Sequence, residues 1–284
     1  MPRKPRIAIV GAGSLAHSLA PALREANYVI SEIISRDSQT SRQRARRLAR
    51  RVRASAVTTE TARLDADLLW FCVPDRQIRP AVVSLAERGK GSVRIAFHSS
   101  GALSSRELES LRKQGIATAS VHPLMTFVAG GRPSLSDAPF AVEGDAAAIR
   151  VARRIVRDLG GESFQLPASR KAAYHAWATM TSPLLLAFLV TLEDAARLGG
   201  LTPADARRKS LPIIRQTLEN YARLGPGSSF SGPITRGDVE TVAKHLAVHR
   251  KDPLVRDVYL TLARSAMRRL PVKNRKAMSR LLKG

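Results

Sequence analysis

A single cysteine, few aromatic side chains and a shortage of acidic residues set the first limits. Of 284 residues one is cysteine, 5% are aromatic, and 23 Asp and Glu stand against 47 Lys and Arg. Cys72 alone forms no internal disulfide and no paired-cysteine zinc site, which suits a reducing cytoplasm. The six histidines supply no metal-ligand pattern either: His245 and His249 share a helix spacing but lack an intervening glutamate at the metalloprotease position and a third ligand. No metal is expected. Long apolar runs are also missing. The basic start, Met1 to Arg6, is followed by a short run that Gly11 to Ser14 interrupts, unlike a signal peptide. The most apolar later stretch, Ala176 to Leu192, contains Thr179, Thr181, Ser182 and Pro183 and is short for a bilayer crossing. It reads as a buried helix, and the protein as cytoplasmic, without a membrane partner.

What is abundant is positive charge. The formal net charge of +24 is concentrated in two blocks, Arg36 to Arg53 and Arg264 to Lys283. Such blocks are either solvated helix faces or sites for a polyanion, and a nucleic-acid-associated protein is one reading. Neither block has the interleaved aromatics of single-strand binders.

The hydrophobic pattern gives an α/β first part. Arg6 to Val10 reads as a strand ending at Gly11, residues 14–26 as a helix, and Tyr28 to Ile34 as the next strand, a βαβ unit with its right-handed crossover. Further helices are expected at 40–53, 76–86, 104–114 and 145–159, and strands near 56–57, 67–73, 93–97, 117–121 and 140–142. Strand and helix alternation of this kind favours a doubly wound parallel sheet over residues 1–165. From residue 166 to 284 long helical segments take over: 169–198, 202–224 and 235–270. Ser169 and Thr202 are credible caps.

Gly11-Ala12-Gly13-Ser14-Leu15-Ala16 follows the first strand and opens the first helix. It matches the glycine-rich dinucleotide fingerprint, with alanine at the third small position. Gly11 permits the tight turn, Gly13 lets a pyrophosphate approach the backbone, and Ala16 keeps helix and sheet close. The second strand ends Ile34-Ser35-Arg36-Asp37. A hydroxyl and a guanidinium suit a ribose 2′-phosphate and favour NADP(H), whereas Asp37 at the strand end would suit the ribose of NAD(H). Val73-Pro74 and His98-Ser99 follow sheet strands and would border the cofactor.

For chemistry, Lys171 and His175 lie four apart on one helix face. The ammonium could protonate or stabilise a reacting oxygen and the imidazole could orient it. His122, after a short strand, is a further contact candidate, and Arg236, in a dense turn with Asp238, a candidate anion clamp. The ordinary alternatives are core histidines, a solvated lysine and an Arg236 to Asp238 ion pair.

Taken together, Gly11 to Ala16, His122-Pro123-Leu124-Met125-Thr126-Phe127, Lys171-Ala172-Ala173-Tyr174-His175, and Gly232 to Asp238 followed by Thr241-Val242 and His245-Leu246 resemble the Rossmann-like proteins with a C-terminal helical domain of unknown function (DUF2520). That family is related to the 6-phosphogluconate dehydrogenase-like superfamily, which includes pyrroline-carboxylate reductases, β-hydroxyacid dehydrogenases and deazaflavin-dependent NADP reductases. The resemblance implies a Rossmann-type sheet domain followed by an all-helical 6-phosphogluconate dehydrogenase C-terminal-like domain. It also implies hydride exchange between NADP(H), or NAD(H) or a deazaflavin, and a small carbonyl, imine or hydroxyl compound lying between the two parts, and a homodimer through the helical part. Lys171 resembles the lysine of the β-hydroxyacid branch, but His175 stands where that branch has asparagine. A noncatalytic NADP-binding sensor or scaffold would keep the same fingerprint.

Overall fold

The computed structural model describes residues 3–89, 91–131 and 133–283, which divide into two compact units, 1–180 and 181–284. The first unit is built on an eight-stranded sheet. Its elements run β1 (Ile7–Val10), α1 (Ser14–Glu25), β2 (Ile30–Ser35), α2 (Gln39–Val52), β3 (Ser55–Thr58), β4 (Leu68–Phe71), α3 (Asp75–Glu87) and β5 (Ile95–His98). They continue with α4 (Glu109–Arg112), β6 (Ala117–Pro123), β7 (Pro139–Gly144), α5 (Ala146–Asp158), β8 (Glu162–Gln165) and α6 (Lys171–Thr181).

Strand order is β3-β2-β1-β4-β5-β6-β7-β8. All pairings are parallel except β6 with β7. Because alternate residues of a strand face opposite ways, β1 and β4 feed two cores at once. Ile7, Ile9 and Trp70 pack under α1, α2 and α5 with Leu19, Leu48 and Ile155. Ala8, Val10 and Phe71 pack on the other face with Ile78, Val82 and Leu85 of α3 and with Leu108 and Leu111. Helices on both faces make the sheet doubly wound, and the chain reverses its direction of winding at β1, leaving a crevice beyond the carboxyl ends of β1 and β4.

The second unit contains α7 (Pro183–Leu198), α8 (Pro203–Ser229), α9 (Pro233–Arg236), α10 (Val239–His249), α11 (Pro253–Arg269) and α12 (Arg275–Leu281). Its small core joins Val242 and Leu246 to Leu260, Ala263, Met278 and Leu282. Side chains of Thr202, Asp238 and Asp252 cap α8, α10 and α11.

Several expectations are corrected. The helix expected over 169–198 breaks at Ser182, ahead of Pro183, where the backbone leaves helical geometry (φ −123°, ψ −72°). That expected over 235–270 is three helices, and 104–114 opens as a 3₁₀ turn, Ser105–Leu108. Strand β8 and helix α12 are additions, and α12 is more than a solvated face because Met278 is fully buried. The Ala176 to Leu192 stretch is not buried within the chain: Trp177, Met180, Leu184, Leu186 and Val190 are exposed, and no residue of α7 is buried. By length and composition alone residues 168–198 reach what a membrane crossing needs. The first unit also extends past residue 165 to include α6, so the helix bearing Lys171 and His175 belongs with the sheet.

Candidate functional site

Two sets of side chains in the first unit have the character of a site. The first surrounds a cleft of about 370 Å³ beyond the ends of β1, β2 and β4. Its floor is the glycine turn. Gly11 has φ +103°, and a Cβ there would fall 2.5 Å from the Cys72 carbonyl oxygen and 2.8 Å from the Val73 side chain. Only glycine fits. Gly13 serves as the N-cap residue of α1, and no side chain caps that helix, so its opening amides are left for an anion. Val73 and Pro74 form the opposite wall. Of the remaining fingerprint residues, Ser14 begins α1, Leu15 packs against the core, and Ala16 is fully buried against the sheet.

At the far end of the cleft Ser35, Arg36, Asp37, Ser41, Arg44 and Thr59 converge. The Ser35 hydroxyl is buried and has no hydrogen-bond partner, an orphan that a ligand oxygen would satisfy. Asp37 is engaged by Arg42, 2.7 Å from Nη1 to Oδ1, so the carboxylate that would suit an NAD ribose already faces a cation. Arg44 and Ser41 were not singled out from the sequence. They emerge because α2 places residues three apart on one face. The cradle therefore fits a dinucleotide with a charged adenosine end.

The second set lies around the ends of β5 and β6. Lys171 is 1% exposed. Its Nζ donates to the Ser100 carbonyl oxygen (2.9 Å) and to Ser120 Oγ (2.5 Å), and Ser120 Oγ in turn donates to the Ser100 carbonyl oxygen (3.1 Å). Burial lowers the Lys171 pKa to about 8, opposed by the charges of Glu143 and Asp75. Two neutral acceptors account for two of its three N–H groups.

Ser100 is itself fixed. Its Oγ donates to Asp75 Oδ2 (2.9 Å) and accepts from the amides of Ala102 and Leu103. Beside it, a Cβ on Gly101 would run into the rings of both His122 and His175, so this loop closes directly on the two histidines. His122 and Tyr174 share a 2.9 Å hydrogen bond at His122 Nδ1, and the rings of His122 and His175 are 6.0 Å apart. Burial and the neighbouring Lys171 charge push the His122 pKa down to about 3, so the ring is neutral at ordinary pH. Tyr174 packs against Phe164 of β8 and against Trp177.

The structure thus brings together His122, Lys171 and His175, with Tyr174, Ser100 and Ser120 as additions. Their roles as acceptors and props depend on tertiary neighbours, and of the three only Tyr174, inside the Lys171 to His175 run, fell in a stretch singled out from the sequence. His122 lies within β6 opposite Ala141, not after the strand. His98, expected beside the cofactor, is fully buried and both ring nitrogens are taken. Nδ1 accepts from the Ser100 amide (3.1 Å), and Nε2 therefore donates to the Ser104 carbonyl oxygen (2.9 Å). It supports the loop, and burial drops its pKa to about 4. Ser99 Oγ accepts from the Trp70 indole (2.8 Å). Arg236 is an exposed residue of the second unit. Asp238 caps α10 through the Thr241 amide (3.0 Å), and no ion pair joins the two among the described residues. His245 shares a 3.0 Å hydrogen bond with the Tyr259 hydroxyl, and no cluster able to hold a metal occurs among the described residues.

Comparison with known proteins agrees with this architecture. A candidate NADP oxidoreductase from Bacteroides fragilis superposes with TM-score 0.74 at 22% identity, over 92% of this chain and 97% of that one. A protein from Thermotoga maritima gives TM-score 0.71 at 23% identity, over 98% of each chain. A pyrroline-5-carboxylate reductase from Coxiella burnetii gives 0.60 at 14% identity, over 99% and 98%. The comparison with curated proteins yields no match. Residues 1–123 match the model of the Rossmann-like domain and residues 138–266 that of the domain of unknown function DUF2520, so the chain is a Rossmann-like protein with a C-terminal DUF2520 domain.

Proposed function

We propose that this protein is an NADP(H)-dependent oxidoreductase acting on a small carbonyl, imine or hydroxyl compound. The observation that carries the reading is the cleft of the first unit: a turn in which Gly11 leaves no room for a Cβ leads to an orphan Ser35 hydroxyl flanked by Arg36 and Arg44. Gly11, Ala12 and Gly13 with the uncapped end of α1 would hold the pyrophosphate, and Ser35, Ser41, Arg36 and Arg44 the 2′-phosphate. Bound there, the nicotinamide would supply or accept hydride. Among proteins of like fold, a reductive aminase from Aspergillus terreus is seen with NADPH and a variant of an imine reductase from Myxococcus stipitatus with NAD+, so the preference rests on this chain's own residues.

The acid and base work falls to the second set. Lys171 keeps an N–H beyond its two internal bonds and, with its proton held less tightly by burial, is suited to donate to an oxygen or nitrogen gaining electrons. The rings of His122 and His175 orient the reacting group, and Tyr174 fixes the His122 ring through Nδ1.

Titrating the purified protein with NADPH and NADH while following nicotinamide fluorescence tests the reading. NADPH should bind at least tenfold more tightly than NADH, and Gly11→Ala should abolish binding of both. Equal affinity would reject the phosphate subsite; failure of either to bind would reject the cofactor assignment.

A further inference from the structure

The second basic block does not lie along one helix. The last turns of α11 and the whole of α12 enclose an open groove of about 700 Å³, lined by Arg264, Arg268, Arg275, Lys276, Arg280 and Lys283 and, among the described residues, by no side-chain carboxylate. From 258 to 283 the sequence has eight Lys and Arg and no Asp or Glu.

The cations divide by role. Arg264 Nε donates to the Leu282 carbonyl oxygen (2.8 Å), tying the groove's two walls together. Arg275 donates to the carbonyl oxygens of Met267 and Leu270 at the end of α11, which satisfies that helix terminus. Arg268, Lys276, Arg280 and Lys283 are exposed and enter no ion pair among the described residues. Four like charges held around one concavity repel one another unless a counter-charge lies between them.

We propose that this groove binds the phosphodiester backbone of nucleic acid, independently of the dinucleotide site. A lipid surface is the poorer match, because membrane-surface helices need an apolar face turned outward. Here the apolar residues of α12 and its C-cap point inward, Met278 being fully buried and the C-cap Leu282 nearly so. Backbone phosphates offer evenly spaced anions that the guanidinium forks of Arg268 and Arg280 can pair in two-pronged fashion. No aromatic residue follows Tyr259, so recognition would go through charge, without base stacking or sequence preference.

The test is fluorescence anisotropy of the full chain on labelled double-stranded DNA and RNA across a salt series. It compares wild type with two charge-matched triple variants: Arg268→Glu, Lys276→Glu and Arg280→Glu in the groove, and Arg46→Glu, Arg47→Glu and Arg50→Glu on α2. Circular dichroism checks folding. Four phosphate contacts predict that affinity falls roughly a hundredfold between 50 and 200 mM salt. The groove variant should lose tenfold or more and flatten the slope of log affinity against log salt by about three, while the α2 variant changes little. Equal losses in both variants would reduce the effect to net charge and overturn the proposal. So would wild-type binding no tighter than to polyglutamate or to phosphatidylserine vesicles.

Discussion

Among single residues, the clearest statements concern charge. Asp37 stands in the cleft as a carboxylate suited to NAD, yet Arg42 occupies it. Since exposed pairs contribute only about 0.2 to 1 kcal/mol, Arg42→Ala should shift the NADPH to NADH affinity ratio a few-fold toward NADH, read by the same fluorescence titration. Lys171 gives a second prediction. Its ordinary pKa of 10.5 falls to about 8 in the folded chain, so below about 8 both folded and unfolded forms carry the proton. Above that only the unfolded form keeps it, and folding gains stability as pH rises through the window. Relative to Lys171→Met, the wild type should gain of the order of 1.4 kcal/mol for each pH unit in that window. Denaturant unfolding of both forms at pH about 8 and about 10.5 measures it. Gly11 was legible in sequence because its demand is local, a positive φ that side-chain-bearing residues rarely adopt, whereas Gly13, at φ −82° with room for a Cβ, was read from the spacing of the motif. Ser100, Ser120 and Tyr174 were not, because a carbonyl or hydroxyl becomes a lysine's acceptor only when distant strands meet.

At the level of helices and strands, legibility followed burial. The strands of the central sheet, such as Leu68–Phe71, are wholly buried and announce themselves as apolar runs. Strand β8, Glu162–Gln165, has no buried residue and reads as loop until Phe164 is seen against Tyr174. Breaks inside apolar stretches were equally hidden: Ser182 and Pro183 end α6 and start α7 without a polar interruption long enough to mark a loop. Caps were better signposted. Asp238 accepts from the Thr241 amide at the start of α10, and its carboxyl is held below the ordinary range by that bond and the neighbouring Thr241 hydroxyl. Asp238→Ala should lower the thermal midpoint by removing the cap, while Asp238→Asn, which keeps the acceptor, should lower it less.

Across the whole chain the uncovered apolar surface stands out. Leu184, Leu186 and Val190 of α7 and Ile213, Leu218 and Tyr221 of α8 are all at least half exposed, more than scattered single exposures account for. A second copy of the chain, pairing through the same helical faces, would cover this surface. Light scattering after size exclusion should report a dimer, and Leu186→Asp with Ile213→Asp should convert it to a folded monomer. Reading the chain as two parts was possible from the change of pattern, but placing the division was not, because α6 continues the helical signature while belonging with the sheet.

That allegiance of α6 has an evolutionary corollary. On the proposed function, the groups that would hold the nucleotide and those that would handle protons are carried by one body, so changes confined to the other need not disturb either. Selection could therefore alter the second body while the proposed cofactor and proton-handling sites are inherited unchanged.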